Sequence, residues 1–291
     1  MFWMPAMPSG GPDARGELRL RYEDVTQSGH LVLEALPTAV GTVTWQRVFA
    51  DLGERGRQPS DVVPILTRLV IHSLGGPLSV GPPLAGKGTY ALAHARGPAG
   101  DIERLFLNMW VELTGVIGNT HGFWVEGAGE PVVAGRVFAE HVFTRPFAPP
   151  AERKVTSLSS PNFPKVPPDA YDWRSPDTVL SDVPADTAWL DPDYIVDPLP
   201  LVFGLMHTDS NQHVNSLVYP RVFEEAAIRR LHAHGISKPF ARYAELLFRK
   251  PCFAGELIHL HLQASRSVVR GYFAAPGEPR SKARAFVRLC Q

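Results

Sequence analysis

The chain has 291 residues, of which 44% are hydrophobic and 20% are charged. This is enough to bury one large core or two ordinary ones, and it excludes a small disulfide-stapled scaffold and a disordered chain. Lysine plus arginine equal aspartate plus glutamate, 29 against 29, so no uniform positive charge predicts a nucleic-acid binder. The two cysteines, Cys252 and Cys290, lack a metal-binding or redox spacing and indicate reduced thiols and a cytoplasmic location.

The first segment, residues 1–17, is predicted to be a flexible tail. Its apolar start has no basic region before it and is interrupted by Pro5 and Pro8, so it does not have the pattern of a secretory signal. No later stretch approaches the roughly 20 uninterrupted apolar residues of a bilayer-spanning helix. We therefore expect no association with a membrane.

A proline-rich segment divides the rest of the chain. Twelve prolines fall between Pro146 and Pro200, where the apolar periodicity also fades. The sequence therefore predicts a first folded unit over residues 18–150, a linker over residues 151–197 and a second folded unit over residues 198–291.

The two predicted units share a sequence pattern. Residues 24–37 and 209–220 both contain an Asp, a Gln and a His in that order, with a Pro seven residues after the His. The two runs align if the first carries a two-residue insertion, Ser28-Gly29. Such a repeat indicates a tandem duplication.

Each unit is predicted to contain one helix followed by antiparallel strands. In the second unit, the spacing of the apolar residues predicts a helix from about Asn215 to His234. A Gly-Glu-Pro triplet at residues 129–131, and again at residues 277–279, marks a hairpin turn in each unit. The fold class is therefore α+β, with a helix covering one face of each sheet.

The strongest candidate site lies at the entry to the second helix. Asp209 and His213 are four residues apart on the predicted turn, where they can converge beside the first free backbone N–H groups of the helix. A carboxylate and an imidazole next to such donors can activate water and stabilise a developing negative charge, with Asp209 as the base or nucleophile. The alternative is that Asp209 and Asn211 are ordinary turn and capping residues.

The run over residues 209–219, Asp-x-Asn-x-His-Val-Asn-x-x-x-Tyr, resembles the helix-entry motif of hotdog-fold acyl thioesterases. It is most similar to the acyl-ACP thioesterases of fatty-acid synthesis and also resembles the 4-hydroxybenzoyl-CoA thioesterase-like hotdogs. The resemblance implies a tandem (double) hotdog, in which each unit is a long helix wrapped by a curved antiparallel β-sheet. It also implies a site where two units meet, which a fused pair supplies as a monomer or a homodimer.

The resemblance further implies roles for individual residues of the motif. Asn211 and His213 are expected to position water and polarise the thioester carbonyl, the Val214 amide to contribute to an oxyanion hole, and Asn215 to hold the turn together. The candidate catalytic residues are Asp209, Asn211, His213, Val214 and Glu225, and the candidate substrate-binding residues are Asn215, Tyr219, Glu245, Arg249 and Lys250.

Residues outside the turn are assigned to the substrate passage. Tyr219 is expected to line the acyl or pantetheine passage. Glu245 is a candidate to replace an acid that plant-type members of the family carry where this chain has Pro251. Arg249 and Lys250 are candidates for a basic rim that binds the phosphate of CoA or of a carrier protein, with ordinary solvated surface residues as the alternative.

Glu225, twelve residues after the motif His, has two interpretations of equal weight. It is either a catalytic acid on the buried side of the helix or a solvated carboxylate paired with Arg221 or Arg229, which lie four residues away on either side.

The first copy of the motif is predicted to be degenerate. It keeps Asp24 and His30, but Val32 replaces the Asn of the motif, and Gly41 and Thr42 stand in place of the mid-helix glutamates. We expect this copy to form a wall of the acyl pocket, with a second active centre as the alternative.

The function that these observations favour is hydrolysis of an acyl thioester on acyl-ACP, acyl-CoA or a polyketide-type carrier, without a metal or redox cofactor. One alternative keeps the fold but makes the protein a dehydratase or hydratase. Another is a non-catalytic acyl-binding module. Fold alone does not separate the three.

Overall fold

A computed structural model describes residues 3–52, 61–119, 124–158, 163–237 and 240–291. The chain forms two compact units. The N-terminal unit comprises Met4–Leu69 and Ser73–Trp173, and the C-terminal unit comprises Arg174–Gln291 together with Val70–His72 and Trp3. The division at Trp173 lies inside the segment that we predicted to be a linker.

The N-terminal unit is built on a sheet with strand order β1-β3-β4-β5-β2, in which the neighbours from β1 to β5 pair antiparallel. Its strands are β1 (Ala14–Leu18), β2 (Val63–Ser73), β3 (Leu84–Arg96), β4 (Ile102–Val116) and β5 (Pro131–Thr144). A helical segment over Val40–Trp45 continues as α1 (Gln46–Leu52).

The prediction of a tail over residues 1–17 is wrong at its end. Residues 14–17 belong to β1, which pairs antiparallel with β3 from Ala14 opposite Gly88 to Leu18 opposite Leu84. The indole N–H of Trp110 also donates to the carbonyl of Pro5 at 3.0 Å. Because Ala14 is the one fully buried residue of β1, the strand is held mainly by backbone bonds, and its sequence has little apolar alternation.

The long helix predicted for each unit is not confirmed in the N-terminal unit. The segment Val40–Trp45 is wound as a π-helix, and α1 adds seven residues. Gly41 and a run of β-branched residues disfavour a regular α-helix there, and the Thr44 hydroxyl donates to the Val40 carbonyl at 2.8 Å.

The C-terminal unit has the strand order β8-β11-β10-β9-β6, with β7 also paired to β9. Its helices and strands are α2 (Thr178–Ser181), β6 (Ile195–Val196), β7 (Leu201–Val202), α3 (Val218–Ala233), β8 (Tyr243–Phe248), β9 (Leu257–Ala264), β10 (Val268–Ala274) and β11 (Ala285–Cys290). Helix α3 lies within the range predicted from about Asn215 to His234. Across the described residues, none of the helices has the length and apolar character needed to cross a bilayer.

Helix α3 packs on one face of this sheet through aromatic side chains. The ring of Tyr219 lies 5.2 Å from that of Phe248 and 5.1 Å from that of Phe273, and Phe223 also contacts Phe273. Gly271 permits this approach, since a Cβ there would lie 2.8 Å from the Phe223 ring. Phe248, Gly271 and Phe273 therefore mark the α3 face of the sheet.

The opposite face of the sheet is covered by α2, within the segment predicted to be a linker. Val179 and Leu180 form a buried cluster with Leu247, Tyr272 and Phe286. Because side chains alternate along a strand, residues adjacent to Phe248 and Phe273 in sequence point to this α2 face. Each face of the sheet is thus defined by its own covering element.

Candidate active site

The motif loop, Asp209–Asn215, closes on itself immediately before α3. Thr208 and Val214 form a β-bridge at its base. Inside it, the N–H of Asp209 donates to the carbonyl of His213 at 3.3 Å, and the N–H of Gln212 donates to the carbonyl of Asp209 at 3.0 Å. The loop therefore has a defined conformation in which its side chains are carried on a tight turn.

The carboxylate of Asp209 is held by the loop itself. Its Oδ1 accepts the backbone N–H of Asn211 at 2.8 Å, and its Oδ2 accepts the side-chain amide of Asn215 at 3.1 Å. Asn215 Oδ1 in turn accepts the N–H of Leu217, the residue before α3, and closes an Asx turn at the entry to the helix. The same residues therefore form the turn and position the carboxylate, so the turn interpretation and the catalytic one are not exclusive.

The N-terminal unit contains the same loop. There the N–H of Thr26 donates to the carbonyl of His30 at 2.7 Å, and the N–H of Gly29 donates to the carbonyl of Thr26 at 2.9 Å. These bonds match those of the motif loop one for one. Thr26 is therefore the counterpart of Asp209, and Gly29 is the counterpart of Gln212.

The insertion predicted in the first copy is wrong, because the two loops have equal length. Asp24 corresponds to His207 instead, since its carbonyl accepts the N–H of Val32 at 3.0 Å as that of His207 accepts the N–H of Asn215 at 2.9 Å. The first copy consequently carries the hydroxyl of Thr26 where the second carries a carboxylate.

Gln212 has a backbone φ of +65°, which no other non-glycine residue shows in the part of the chain that the structure describes. Its counterpart Gly29 has a φ of +77°. Gln212→Gly is therefore expected to raise the free energy of unfolding by about 0.5–1 kcal/mol, because glycine adopts this conformation without steric cost.

The measurement is urea unfolding of the wild type, of Gln212→Gly and of the matched control Ser210→Gly in the same loop. The control is expected to be neutral or destabilising, because Ser210 does not have a positive φ. Equal shifts in the two variants would contradict the explanation by backbone conformation.

His213 and Asn211 lie on the same turn as the carboxylate. His213 is half-buried, with its Nδ1 3.3 Å from the carbonyl of Val214, and Asn211 is exposed. Among the residues that the structure describes, no hydrogen bond joins the His213 ring to the Asp209 carboxylate, and no group of three or more side chains has the arrangement of a metal site. The site can therefore offer a carboxylate, an imidazole and an amide as separate groups.

The role predicted for the amide of Val214 is wrong. Val214 is buried, and its N–H donates to the carbonyl of Cys252 at 2.8 Å. Because this bond ties the motif loop to the segment before β9, the donor is not available to a substrate oxygen.

Tyr219 and Cys252 form a buried pair that is bonded to the motif loop through Val214. The N–H of Cys252 donates to the hydroxyl of Tyr219 at 3.3 Å, and both side chains are buried. Burial raises the pKa of the Cys252 thiol to about 11, so at neutral pH the sulfur is protonated and unsuited to nucleophilic attack. Tyr219, predicted to line the passage, lies in the core between α3 and the sheet.

Glu256 is an acid beside the site that the sequence analysis did not select. Its Oε2 accepts the N–H of Phe253 at 3.0 Å, and its Oε1 accepts the guanidinium of Arg284 at 2.8 Å. The carboxylate thereby fixes the segment that binds Val214 and Tyr219. In the sequence, Glu256 could have been found by its position four residues after Cys252. The predicted acid, Glu245, lies before the cysteine.

Glu225 is not part of the site. Its side chain is exposed and lies 3.5 Å from Arg221, one helical turn earlier. This is the solvated ion pair that was the alternative interpretation. The neighbouring Glu224 is half-buried and accepts the N–H of Ala241 at 3.4 Å.

The prediction that Glu245 binds substrate is wrong, because its side chain points to the face of the sheet opposite the motif loop. Glu245 is fully buried on the α2 face of the sheet, where its carboxylate contacts Arg288 at 2.7 Å and the hydroxyl of Tyr243 at 3.3 Å. Because Tyr219 and Phe248 lie on the α3 face, the sheet separates Glu245 from the motif loop.

The predicted basic rim is not assembled as expected. Arg249 donates to the carbonyl of Ser281 at 2.9 Å, and its guanidinium lies 5.9 Å from the ring of Phe286, on the α2 side. Lys250 is exposed. Arg249 is therefore held away from the motif loop, and phosphate binding by Lys250 stays a prediction.

Comparison with solved structures relates this fold to three thioesterases. The structure assigned as an oleoyl thioesterase of Lactobacillus plantarum has a TM-score of 0.60 at 13% identity, covering 97% of this chain and 96% of that one. An acyl-ACP thioesterase from Bacteroides thetaiotaomicron has a TM-score of 0.58 at 11% identity, over 96% and 97% of the two chains. A 12:0-ACP thioesterase from Umbellularia californica has a TM-score of 0.52 at 14% identity, over 95% and 96%.

These similarities show a shared fold. The sequence matches no protein-family model and none of the curated proteins. The chain has the hotdog fold of these thioesterases along nearly its whole length, as the resemblance of the motif implied. At such identities the activity and the catalytic residues do not follow from the fold.

Proposed function

We propose that the protein hydrolyses acyl thioesters at the motif loop. The observation that carries the proposal is the carboxylate of Asp209, fixed by the Asn211 N–H and the Asn215 amide at the entry to α3. A structural turn needs only one such bond, whereas this carboxylate is oriented through both oxygens on a partly exposed loop. The shared fold with three thioesterases supports the same reaction class.

In the proposed reaction, Asp209 acts as the general base. It takes a proton from water while the water oxygen attacks the thioester carbonyl carbon, and the side chains of His213 and Asn211 stabilise the charge that develops on the carbonyl oxygen. The C–S bond then breaks, and the thiolate leaving group takes up the proton that Asp209 removed from water, which restores the carboxylate. The products are a carboxylic acid and a free thiol.

The proposed substrates are thioesters of CoA or of a carrier protein. Two of the structural neighbours are an acyl-ACP thioesterase and a 12:0-ACP thioesterase, which supports a carrier-bound acyl group. The further proposal is that the protein is a monomer or a homodimer.

The test is incubation of the purified protein with a panel of acyl-CoA and acyl-carrier substrates, followed by measurement of free thiol with a colorimetric disulfide reagent. The two cysteines of the protein are buried, with pKa values raised to about 11, so the reagent reads the product. Release of thiol supports the proposal. Gain or loss of water by mass spectrometry without thiol would indicate a hydratase or dehydratase, and binding without turnover would indicate an acyl-binding module.

A further inference from the structure

The connection between β8 and β9, residues 249–256, is bonded to the chain on both sides of the motif loop. After the loop's side chains, the carbonyl of Cys252 accepts the N–H of Val214 at 2.8 Å. Before the loop, the N–H of Gly255 donates to the carbonyl of Phe203 at 2.7 Å. The position of the motif loop therefore depends on the position of this connection.

One residue, Arg284, binds both ends of the connection. At the start, its carbonyl accepts the N–H of Arg249 at 2.8 Å and that of Lys250 at 3.2 Å. At the end, its guanidinium donates two N–H groups to the carboxylate of Glu256, at 2.8 and 3.1 Å. Arg284 is itself bonded to β10, because its own N–H donates to the carbonyl of Phe273 at 2.7 Å. The connection is therefore fixed to the sheet at two points.

The carboxylate of Glu256 uses both of its oxygens in this arrangement. Its Oε1 accepts the guanidinium of Arg284, and its Oε2 accepts the N–H of Phe253, next to Cys252, at 3.0 Å. The side chains of Arg284 and Glu256 are only 15% and 21% exposed, so salt screens this ion pair less than it screens a fully exposed one. The Glu256–Arg284 pair is therefore a firm link between the sheet and the connection.

The equivalent connection of the N-terminal unit shows that the fold does not require such a pair. That connection joins β2 to β3 over residues 74–83 and contains no charged residue. It is bonded to its own loop differently, from the N–H of Leu78 to the carbonyl of Gly29 at 2.8 Å. The ion pair therefore belongs to the copy that carries Asp209 and is not shared by the copy that carries Thr26.

We propose that Glu256 and Arg284 are positioning residues, which hold the motif loop in its catalytic geometry without touching the substrate. A displacement of the connection moves the carbonyl of Cys252 and, through Val214, the residue before it in the loop, His213. Because catalysis depends on the orientation of the reacting groups, a small displacement lowers kcat more than it changes substrate binding. The effect on the rate rests on the proposed function, whereas the effect on the loop does not.

The first measurement is amide hydrogen exchange of the full chain without substrate, in the wild type and in Glu256→Gln. Glutamine keeps the size of the side chain and removes its charge, which weakens the bonds to Arg284. The N–H of Val214 is expected to exchange at least about tenfold faster in the variant, because its acceptor on Cys252 is held less firmly. Arg284→Lys keeps the charge but loses the planar pair of donors, and it is expected to show a smaller change in the same direction.

The matched control is Glu278→Gln. The carboxylate of Glu278 lies 3.1 Å from the same guanidinium and is 29% exposed, but it lies outside the connection. This variant removes an equal charge from beside Arg284, and its Val214 N–H is expected to exchange as in the wild type. Equal acceleration in the two glutamine variants would overturn the proposal, and so would unchanged exchange in Glu256→Gln.

The second measurement is thiol release from an acyl thioester by the same variants, with circular dichroism to confirm that each is folded. Glu256→Gln is expected to lower kcat by about tenfold to a hundredfold with KM within about twofold, and Glu278→Gln is expected to change neither. Faster exchange together with a wild-type kcat would overturn the positioning role. A wild type that releases no thiol would reject the proposed function, and the exchange rates would still decide whether the pair positions the loop.

Discussion

Asp209→Asn is expected to lower kcat/KM for thioester hydrolysis by about a thousandfold, because an amide cannot take a proton from water. The substitution keeps an oxygen that accepts the Asn211 N–H and replaces the other with an NH₂ group facing the Asn215 amide. The loss of that one bond costs about 1 kcal/mol of stability, so the variant stays folded. Thiol release and thermal unfolding are measured on the same preparation.

The matched control is Asp24→Asn in the N-terminal unit. Alignment by residue identity makes Asp24 the counterpart of Asp209, whereas the hydrogen bonds make it the counterpart of His207. Its carboxylate is bound by Arg21 at 2.8 Å, so its removal changes a local ion pair and is expected to leave the activity unchanged. Equal loss of activity in the two variants would reject the motif loop as the site.

His213→Ala is expected to lower kcat to a similar extent. The ring is half-buried and makes one contact at 3.3 Å, so its removal leaves the loop bonds of Asp209 in place. Partial rescue of the rate by added imidazole would indicate a chemical role for the ring, which a structural role would not give. Full activity without the ring would exclude His213 from the proposed mechanism.

The turn and the helix after it were predictable from local sequence. Asn215 accepts the N–H of Leu217, so the turn that leads into α3 follows from an Asx turn that is encoded within three residues. The predicted range from about Asn215 to His234 therefore differs from Val218–Ala233 only at its ends.

The face of the sheet on which the Glu245 side chain lies was not predictable, because β8 is buried on both faces. Every residue from Tyr243 to Leu247 is buried, which removes the apolar and polar alternation that would distinguish the two sides. The α2 face exists because the segment around Val179 folds over the sheet, and its proline content predicted a linker. Long-range packing decided both outcomes.

The register of the repeat was misjudged for a related reason. A shared Asp and Gln suggested an alignment with an insertion, whereas the backbone bonds require loops of equal length. In the first copy the hydroxyl of Thr26 accepts the N–H of His30 at 3.2 Å, so a different residue type supports the same turn. Matching backbone hydrogen bonds therefore align the two loops correctly where matching residue types do not.

The second large effect is expected at Arg288, on the α2 face. Its guanidinium lies 2.7 Å from the carboxylate of Glu245 and 3.2 Å from that of Asp182, which also binds Arg174 at 2.8 Å. Glu245 and Arg288 are buried, and the four side chains balance two positive against two negative charges. Arg288→Leu is expected to lower the free energy of unfolding by about 3–5 kcal/mol, because it leaves Glu245 buried without its main counter-charge.

The stability of the fold at low pH is expected to depend on the same four charged side chains. Burial favours the neutral carboxyl of Asp182, but hydrogen bonds and charge from Arg174 and Arg288 outweigh it and lower the pKa below 3.8. A lowered pKa stabilises the fold above the unfolded-state value, and this stabilisation is lost as the pH falls below about 4. Arg288→Leu removes one source of the shift, so its own stability should fall less steeply with acid than that of the wild type.

The double variant Glu245→Leu/Arg288→Leu separates charge burial from packing. It removes one charge of each sign and leaves Arg174 paired with Asp182, so it is expected to be more stable than Arg288→Leu alone in urea unfolding. If the loss of unfolding free energy in the double variant equalled the sum of the losses in Glu245→Leu and Arg288→Leu, lost packing volume would be the cause and the ion pair would contribute little. Because the sheet separates this network from the motif loop, all folded variants at these positions should retain thioester hydrolysis, which distinguishes a structural acid from a catalytic one.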